Sequence, residues 1–268
     1  MTDEAEKSPL DFRKTFKAKI RKVAEEEQAL VEERSPVKDN VWLMYEGEVK
    51  SYDTAFSVIL KDLRYESLRD WMRLRKESGL TTHVLDIMGG NGSFLRDLSS
   101  FGPRGSEVSP YFDRSLVITL ADERSGIKML KDEDDKRKIS YIAGDITSGK
   151  TWHDVSEWLK SQGIPAFDLV ICRGVQGLDL IPVALYPMLF EYSQARTTNE
   201  NGLILTQLSR KVKNHLDQWK AKLCKIPGIK PYTQSERPAF ITSGNHYPAI
   251  GIVKTNEAPS SLLPFIKD

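Results

Sequence analysis

The stretch Val84-Leu85-Asp86-Ile87-Met88-Gly89-Gly90-Asn91-Gly92-Ser93-Phe94 constrains the fold of this chain more than any other. His83 to Ile87 is a short apolar run of a length that suits a buried strand. Gly89, Gly90 and Gly92 then supply a backbone that takes positive φ and carries no Cβ to block a ligand. Ser93 to Leu98 begins a helical pattern. A strand that turns through glycines into a helix presents unpaired backbone N–H groups, which suit an anionic or strongly polar ligand group. Without a ligand, the same residues would make only a tight strand-to-helix connection.

From His83 onward, strand-like runs alternate with helix-length segments, as in a parallel sheet with crossover helices. The runs are Leu116 to Ala121, Ile139 to Ala143, Phe167 to Cys172, Gly202 to Gln207 and Ala249 to Lys254. Lys211 to Leu223 has the pattern of an amphipathic helix. Two readings remain for a sixth strand. One places it at Ala239 to Thr242, with a turn through Ser243-Gly244-Asn245-His246 into the last strand. The other places it near Lys225 to Tyr232, followed by a long loop. Ligands of open α/β sheets bind beyond the carboxyl ends of the strands. That rule gathers Met88 to Gly92, Asp122, Asp145 and the segment Cys172 to Asp179 on one edge.

The first 80 residues read differently. Asp11 to Glu33 is rich in Lys, Arg and Glu, with Phe12, Phe16, Ile20, Val23 and Leu30 on a narrow apolar face. Ser35-Pro36 interrupts that pattern. A second helical region carries Tyr52, Phe56, Ile59, Leu60, Leu63, Leu68, Trp71, Met72 and Leu74. The expected division is therefore a helical extension over 1–80 and a ligand-binding α/β domain over 81–268. The extension serves either as a lid or as plain packing on the sheet.

The chain has 268 residues, enough for one large α/β domain plus an extension. Its formal net charge of +1 argues for neither a nucleic-acid-binding composition nor an acidic tail. The two cysteines, Cys172 and Cys224, lack metal-ligand spacing and suggest reduced thiols. His83, His153 and His215 show no such spacing either, so no metal is expected. Met1 to Lys7 is polar, without the apolar core of a signal peptide, and no apolar run is long enough to span a membrane. A soluble protein of the cytoplasm, with no membrane partner, is the expectation.

The acidic residue followed by spaced glycines resembles motif I of the class I S-adenosylmethionine-dependent methyltransferases. In that motif glycines stand two, four and six positions after the acid. Asp86, Gly90 and Gly92 match, while Met88 replaces the first glycine, with Gly89 beside it. A dinucleotide fingerprint would need another glycine three places beyond Gly92, and none is there. The resemblance covers about residues 80 to 254. It implies an α/β, Rossmann-like fold: a mostly parallel seven-stranded sheet with a C-terminal antiparallel strand, behind an N-terminal helical extension. It implies S-adenosyl-L-methionine as cofactor, held by Asp86, Met88, Gly89, Gly90, Asn91 and Gly92, with Arg173 beside them after the fourth strand. By the same resemblance, Asp122 would accept both ribose hydroxyls, a task that suits two acceptor oxygens. As a plain alternative, Asp122 would cap the helix that follows. Asp145 would meet the adenine amino group, and Ile146 would pack on the ring.

Catalysis is less constrained. Arg173 and Gln176 could orient a substrate beside the reactive methyl, and Asp179 could act as a base; a loop with a solvated or salt-bridged Arg173 is the plain alternative. His246 faces the same edge only if the hairpin reading of the last strands holds. Methyl transfer from a sulfonium depends mostly on alignment, so no fixed catalytic residue is required. The chain is similar to the ribosomal RNA 2′-O-methyltransferases over Asp86 to Phe94, at Gly144-Asp145 and at Phe167 to Val170. Yet their catalytic aspartate aligns with Arg173 and their strand-five lysine near Gln207, so their tetrad is not assembled. The expected acceptor is a small or medium-sized molecule. The rivals are RNA, to which Arg13, Lys14, Lys17, Lys19, Arg21 and Lys22 would bind, and a non-catalytic methyltransferase-like subunit.

Overall fold

A computed structural model describes residues 56–90, 92–99, 112–119, 131–173, 183–235 and 248–262. Two short helices, α1 (Ser57–Asp62) and α2 (Leu68–Glu77), precede strand β1 (His83–Ile87). There follow α3 (Ser93–Ser99), β2 (Arg114–Thr119), α4 (Lys131–Lys136), β3 (Ile139–Ala143), α5 (Gly149–Ser161) and β4 (Leu169–Cys172). The chain continues through α6 (Tyr186–Gln194), β5 (Gly202–Gln207), α7 (Leu216–Leu223), β6 (Ile229–Gln234) and β7 (Ala249–Lys254).

The strands form one seven-stranded sheet in the order β3-β2-β1-β4-β5-β7-β6. The first five run parallel, and β7 lies antiparallel between β5 and β6. This is the α/β architecture expected from the sequence, a mostly parallel seven-stranded sheet with a C-terminal antiparallel strand. The strand order reverses at β1, with β2 and β3 to one side and β4 and β5 to the other, and such a switch point opens a crevice at the carboxyl edge.

Alternation along the strands divides the core into two layers. Leu85, Ile87, Val170 and Cys172 meet Trp152, Val155 and Leu159 of α5, with Tyr186 and Phe190 of α6. Val84, Leu169 and Ile171 point the other way, toward Phe56, Ile59 and Leu60, toward Trp71 and Met72 of α2, and toward Phe94 and Leu98 of α3. A Cβ on Gly251 of β7 would press into the Ile59 side chain, so α1 lies directly on the β7–β6 end of the sheet. The described part of the N-terminal region is thus a sheet-covering layer. Residues 1–55, including the basic run near Lys14 to Lys22, lie outside the described residues.

Local chemistry sets the ends of several elements. Ser67 caps α2 by accepting a hydrogen bond from the Asp70 backbone N–H at 3.0 Å. Arg75 on the same helix reaches across to Asp168, 2.6 Å away, and the other Asp168 oxygen accepts the His83 backbone N–H at 2.8 Å. This carboxylate therefore fastens α2 and β1 to the start of β4.

Three strand boundaries differ from the sequence reading. The second strand begins at Arg114, earlier than expected, because Ser115 already pairs with Ile139 of β3. The fourth begins at Leu169 rather than Phe167, since Asp168 turns its side chain to the α2 joint and Phe167 makes only an isolated bridge to Thr197. The sixth is Ile229–Gln234, close to the second of the two readings. The hairpin reading is corrected: the place beside β7 is taken by β6, and 239–242 lies outside the described residues. Pro231 disguises β6 in the sequence, but β6 is an edge strand, where a residue without an N–H is tolerated.

Candidate functional site

Register fixes what meets at the carboxyl edge. Ile87 pairs with Cys172, so the chain leaves β1 and β4 side by side, at Met88 and at Arg173. Side chains alternate, which sends Asp86 and Arg173 to the same face of the sheet, the face covered by α3. There the Arg173 guanidinium lies over the Phe94 ring, 4.0 Å from its centroid. One guanidinium nitrogen is 3.9 Å from an Asp86 oxygen.

Asp86 is the unusual member of this pair. It is fully buried, and among the described residues neither of its oxygens has a hydrogen-bond partner. At 3.9 Å, the approach of Arg173 is an ion pair without a hydrogen bond. Burial pushes the Asp86 carboxyl up to about 6, and the positive charge of Arg173 only partly opposes that rise. A buried acceptor with two oxygens and no donor is an incomplete arrangement.

The glycine turn is shaped around this carboxylate. A Cβ at Gly89 would stand 2.5 Å from an Asp86 oxygen and 2.8 Å from the Val117 side chain, so only glycine fits above the acid. Gly89 donates its N–H to Ile118 of β2 at 3.1 Å, tying the turn to the neighbouring strand. Met88, Gly90 and Gly92 have φ of 59°, 56° and 76°. Met88 therefore adopts the left-handed conformation that a glycine would take freely, at a cost of about 1 kcal/mol. A Cβ at Gly92 would strike the Tyr141 hydroxyl. That hydroxyl donates to Asp134 at 2.7 Å, and Asp134 pairs with Arg96 of α3 at 2.8 Å. The Tyr141–Asp134–Arg96 network thus holds β3, α4 and α3 together beneath the turn.

At the end of β3, Gly144 donates to Thr119 of β2 at 2.8 Å and brings Asp145 to the same edge. The exposed Asp145 carboxylate accepts from both the backbone N–H and the hydroxyl of Thr147, each at 2.8 Å. One Asp145 oxygen is thus engaged locally. Ile146 is buried in the core, its carbonyl accepting from the Trp152 indole at 2.7 Å.

Of the residues expected at the site, Asp86, Met88, Gly89, Gly90, Gly92, Asp145 and Arg173 all stand at the carboxyl edge. Asn91, Asp122, Gln176, Asp179 and His246 lie outside the described residues. Sequence reading missed two features. One is the Phe94 platform under Arg173, which the period of two and the β1–β4 register would have indicated. The other is the Tyr141 brace, for which the sequence offered no signal. Among the described residues no group of three metal-ligating side chains occurs, and no helix is long and apolar enough to cross a membrane.

No protein-family model matches the chain, and no curated protein matches it in sequence. Solved structures do resemble it. The N-methyltransferase NodS from Bradyrhizobium japonicum is 14% identical, with 75% of this chain and 98% of that one covered and a TM-score of 0.41. The SAM-bound amino pentose methyltransferase CalS10 from Micromonospora echinaspora is 12% identical over 78% and 100% of the two chains, with a TM-score of 0.40. A putative RNA methyltransferase from Pyrococcus horikoshii is 13% identical over 80% and 90%, with a TM-score of 0.39.

Proposed function

We propose that the chain is an S-adenosyl-L-methionine-dependent methyltransferase whose cofactor binds at the carboxyl edge of β1, β2 and β4. The observation that carries this reading is the buried Asp86 carboxylate, without a hydrogen-bond donor among the described residues, under a glycine turn at the switch point of the sheet. A cofactor that brings a cationic group and a nucleoside would supply the missing donors. Asp86 and the turn Met88 to Gly92 hold its amino-acid part, Asp122 the ribose, and Asp145 with Ile146 the adenine. Ile146 is buried, so it contributes as a wall of the pocket.

The sulfonium supplies the activated methyl group when the cofactor is bound. The protein's task is to exclude water and to align the acceptor atom with the methyl. Arg173 and Gln176 would orient the acceptor, and Asp179 or His246 would take up a proton where the acceptor must lose one. The acceptor we favour is a small or medium-sized molecule, because the chain carries a net charge of only +1, whereas a phosphate-rich partner needs a strongly basic face. Residues 1–80 act as the extension, of which 56–77 packs on the sheet.

Equilibrium dialysis with labelled S-adenosylmethionine tests the reading, followed by transfer assays on small-molecule and RNA pools. Saturable binding with transfer of label supports the enzyme. Binding without transfer to any pool supports a second reading, a non-catalytic subunit, which the left-handed Met88 and the ion-paired Arg173 favour. No binding at millimolar cofactor refutes the enzyme and leaves a non-catalytic subunit that has lost the pocket.

A further inference from the structure

We infer that Gln207 is an acceptor-binding residue, whose side-chain amide receives a small molecule that presents a hydrogen-bond donor beside a hydrogen-bond acceptor, as a carboxamide or an amino-substituted heterocycle does. This rests on the methyltransferase reading above and narrows the chemical class of its acceptor. Gln207 ends β5, and its backbone is engaged in the ladder to β7, where it pairs with Ala249. The side chain is placed differently. Gln207 is only 8% exposed, yet its amide has no hydrogen-bond partner among the described residues. A buried amide left unpaired is costly and calls for a reason.

A second glutamine in the same row supplies the contrast. Ala249 also pairs with Gln234 of β6, so Gln207, Ala249 and Gln234 stand abreast across three strands. Gln234 is 1% exposed, and its amide oxygen accepts the Val58 backbone N–H at 3.3 Å, which fastens α1 to the sheet. Gln207 fastens nothing among the described residues. Packing alone would be served by an apolar side chain there, as Leu203 and Leu205 serve it on the same face of β5. The location fits an acceptor. Thr206 pairs with Cys172, so Gln207 stands level with Arg173 at the carboxyl edge, and alternation turns both side chains to one face. β5 lies two strands from β1, about 10 Å at the usual spacing, which is room for a small molecule between the glycine turn and the Gln207 amide. An amide is uncharged and offers an acceptor oxygen beside N–H donors, so its complement is a ligand group that offers both as well.

Nuclear magnetic resonance on the full chain with S-adenosylhomocysteine tests this. The side-chain amide signal of Gln207, identified by its loss in Gln207→Met, is followed during titration with nicotinamide and with 3-acetylpyridine. The two probes share a ring and a carbonyl, and only nicotinamide carries the amide donor. Nicotinamide should shift the signal saturably at millimolar concentration and bind about 3- to 10-fold more tightly than 3-acetylpyridine, the worth of one neutral hydrogen bond. In Gln207→Met, read at the Ala249 backbone amide, that preference should vanish. The unliganded variant should melt no lower than the parent, because replacing an unpaired amide by an apolar group of similar shape is nearly neutral or stabilising. A clearly lower midpoint overturns the inference, since it marks the amide as a structural bond. Equal binding of the two probes by the parent, or no shift with either, overturns the inference alone where S-adenosylhomocysteine binds. A parent that binds no S-adenosylhomocysteine overturns the methyltransferase reading and this inference with it.

Discussion

At the scale of single residues, the account turns on how little room surrounds Asp86. Gly89 has an ordinary negative-side backbone, so its requirement for glycine is one of space alone. Gly89→Ala would force the new methyl against the Asp86 carboxylate and the Val117 side chain. Overpacking of this kind costs about 1–3 kcal/mol. The expected result is a lower denaturant midpoint together with weaker binding of S-adenosylhomocysteine, because the acid is pushed from its place. Unchanged stability and binding would mean that the turn relaxes freely and does not grip the acid. The proton on Asp86 gives a second prediction. Burial raises its folded value to about 6 from the 3.8 expected when exposed. The folded state then holds the proton more tightly than the unfolded state does. Its contribution to stability is intact below about pH 4 and is lost as pH rises through about 6. Between pH 4 and 7 the unliganded parent should lose on the order of 3 kcal/mol relative to Asp86→Asn. Parallel stability curves for the two proteins would show that Asp86 ionises normally.

At the scale of elements, the joint at the opposite end of the sheet is separable from the site. Asp168 links Arg75 of α2 to the His83 backbone and to the start of β4, with about a tenth of each charged side chain exposed. Asp168→Asn keeps the shape but loses the charge that faces Arg75. Stability should fall by about 1.5–3 kcal/mol, the range for hydrogen bonds to charged groups. Cofactor affinity should stay within about twofold, since the joint lies at the amino end of the strands. Denaturant titration and calorimetry on the same preparation check both halves; a large loss of affinity would mean that the sheet transmits strain from end to end. Elements also show where sequence and structure part. The bounds of β3, β5 and β7 were legible because these are largely apolar runs bounded by turn residues. β6 was not settled, because Pro231 argues against a strand unless the strand is known to lie at an edge. Long pairings decide edges, and no local pattern records them. Asp86 stood out beside its glycines, whereas its pairing with Arg173 depends on the β1–β4 register and appears only once the sheet is assembled.

At the scale of the whole molecule, the two core layers cover the sheet while its carboxyl edge carries the buried Asp86 carboxylate, which lacks a donor among the described residues. A ligand that supplies that donor binds only the folded chain and must stabilise it. S-adenosylhomocysteine at a hundred times its dissociation constant should add about 2.7 kcal/mol and raise the thermal midpoint by several degrees. A thermal scan across ligand concentrations checks this, and a midpoint that does not move with concentration would count against any nucleoside site in the fold. The central claim, that the edge above β1 and β4 is the cofactor pocket, is tested most directly by a crystal structure of the complex with S-adenosylhomocysteine. The account predicts the ligand's ammonium within hydrogen-bond distance of Asp86 and its ribose near Asp122, with the glycine turn beneath it. A ligand bound elsewhere on the molecule, with Asp86 still sealed under Gly89 and lacking a donor, would contradict it.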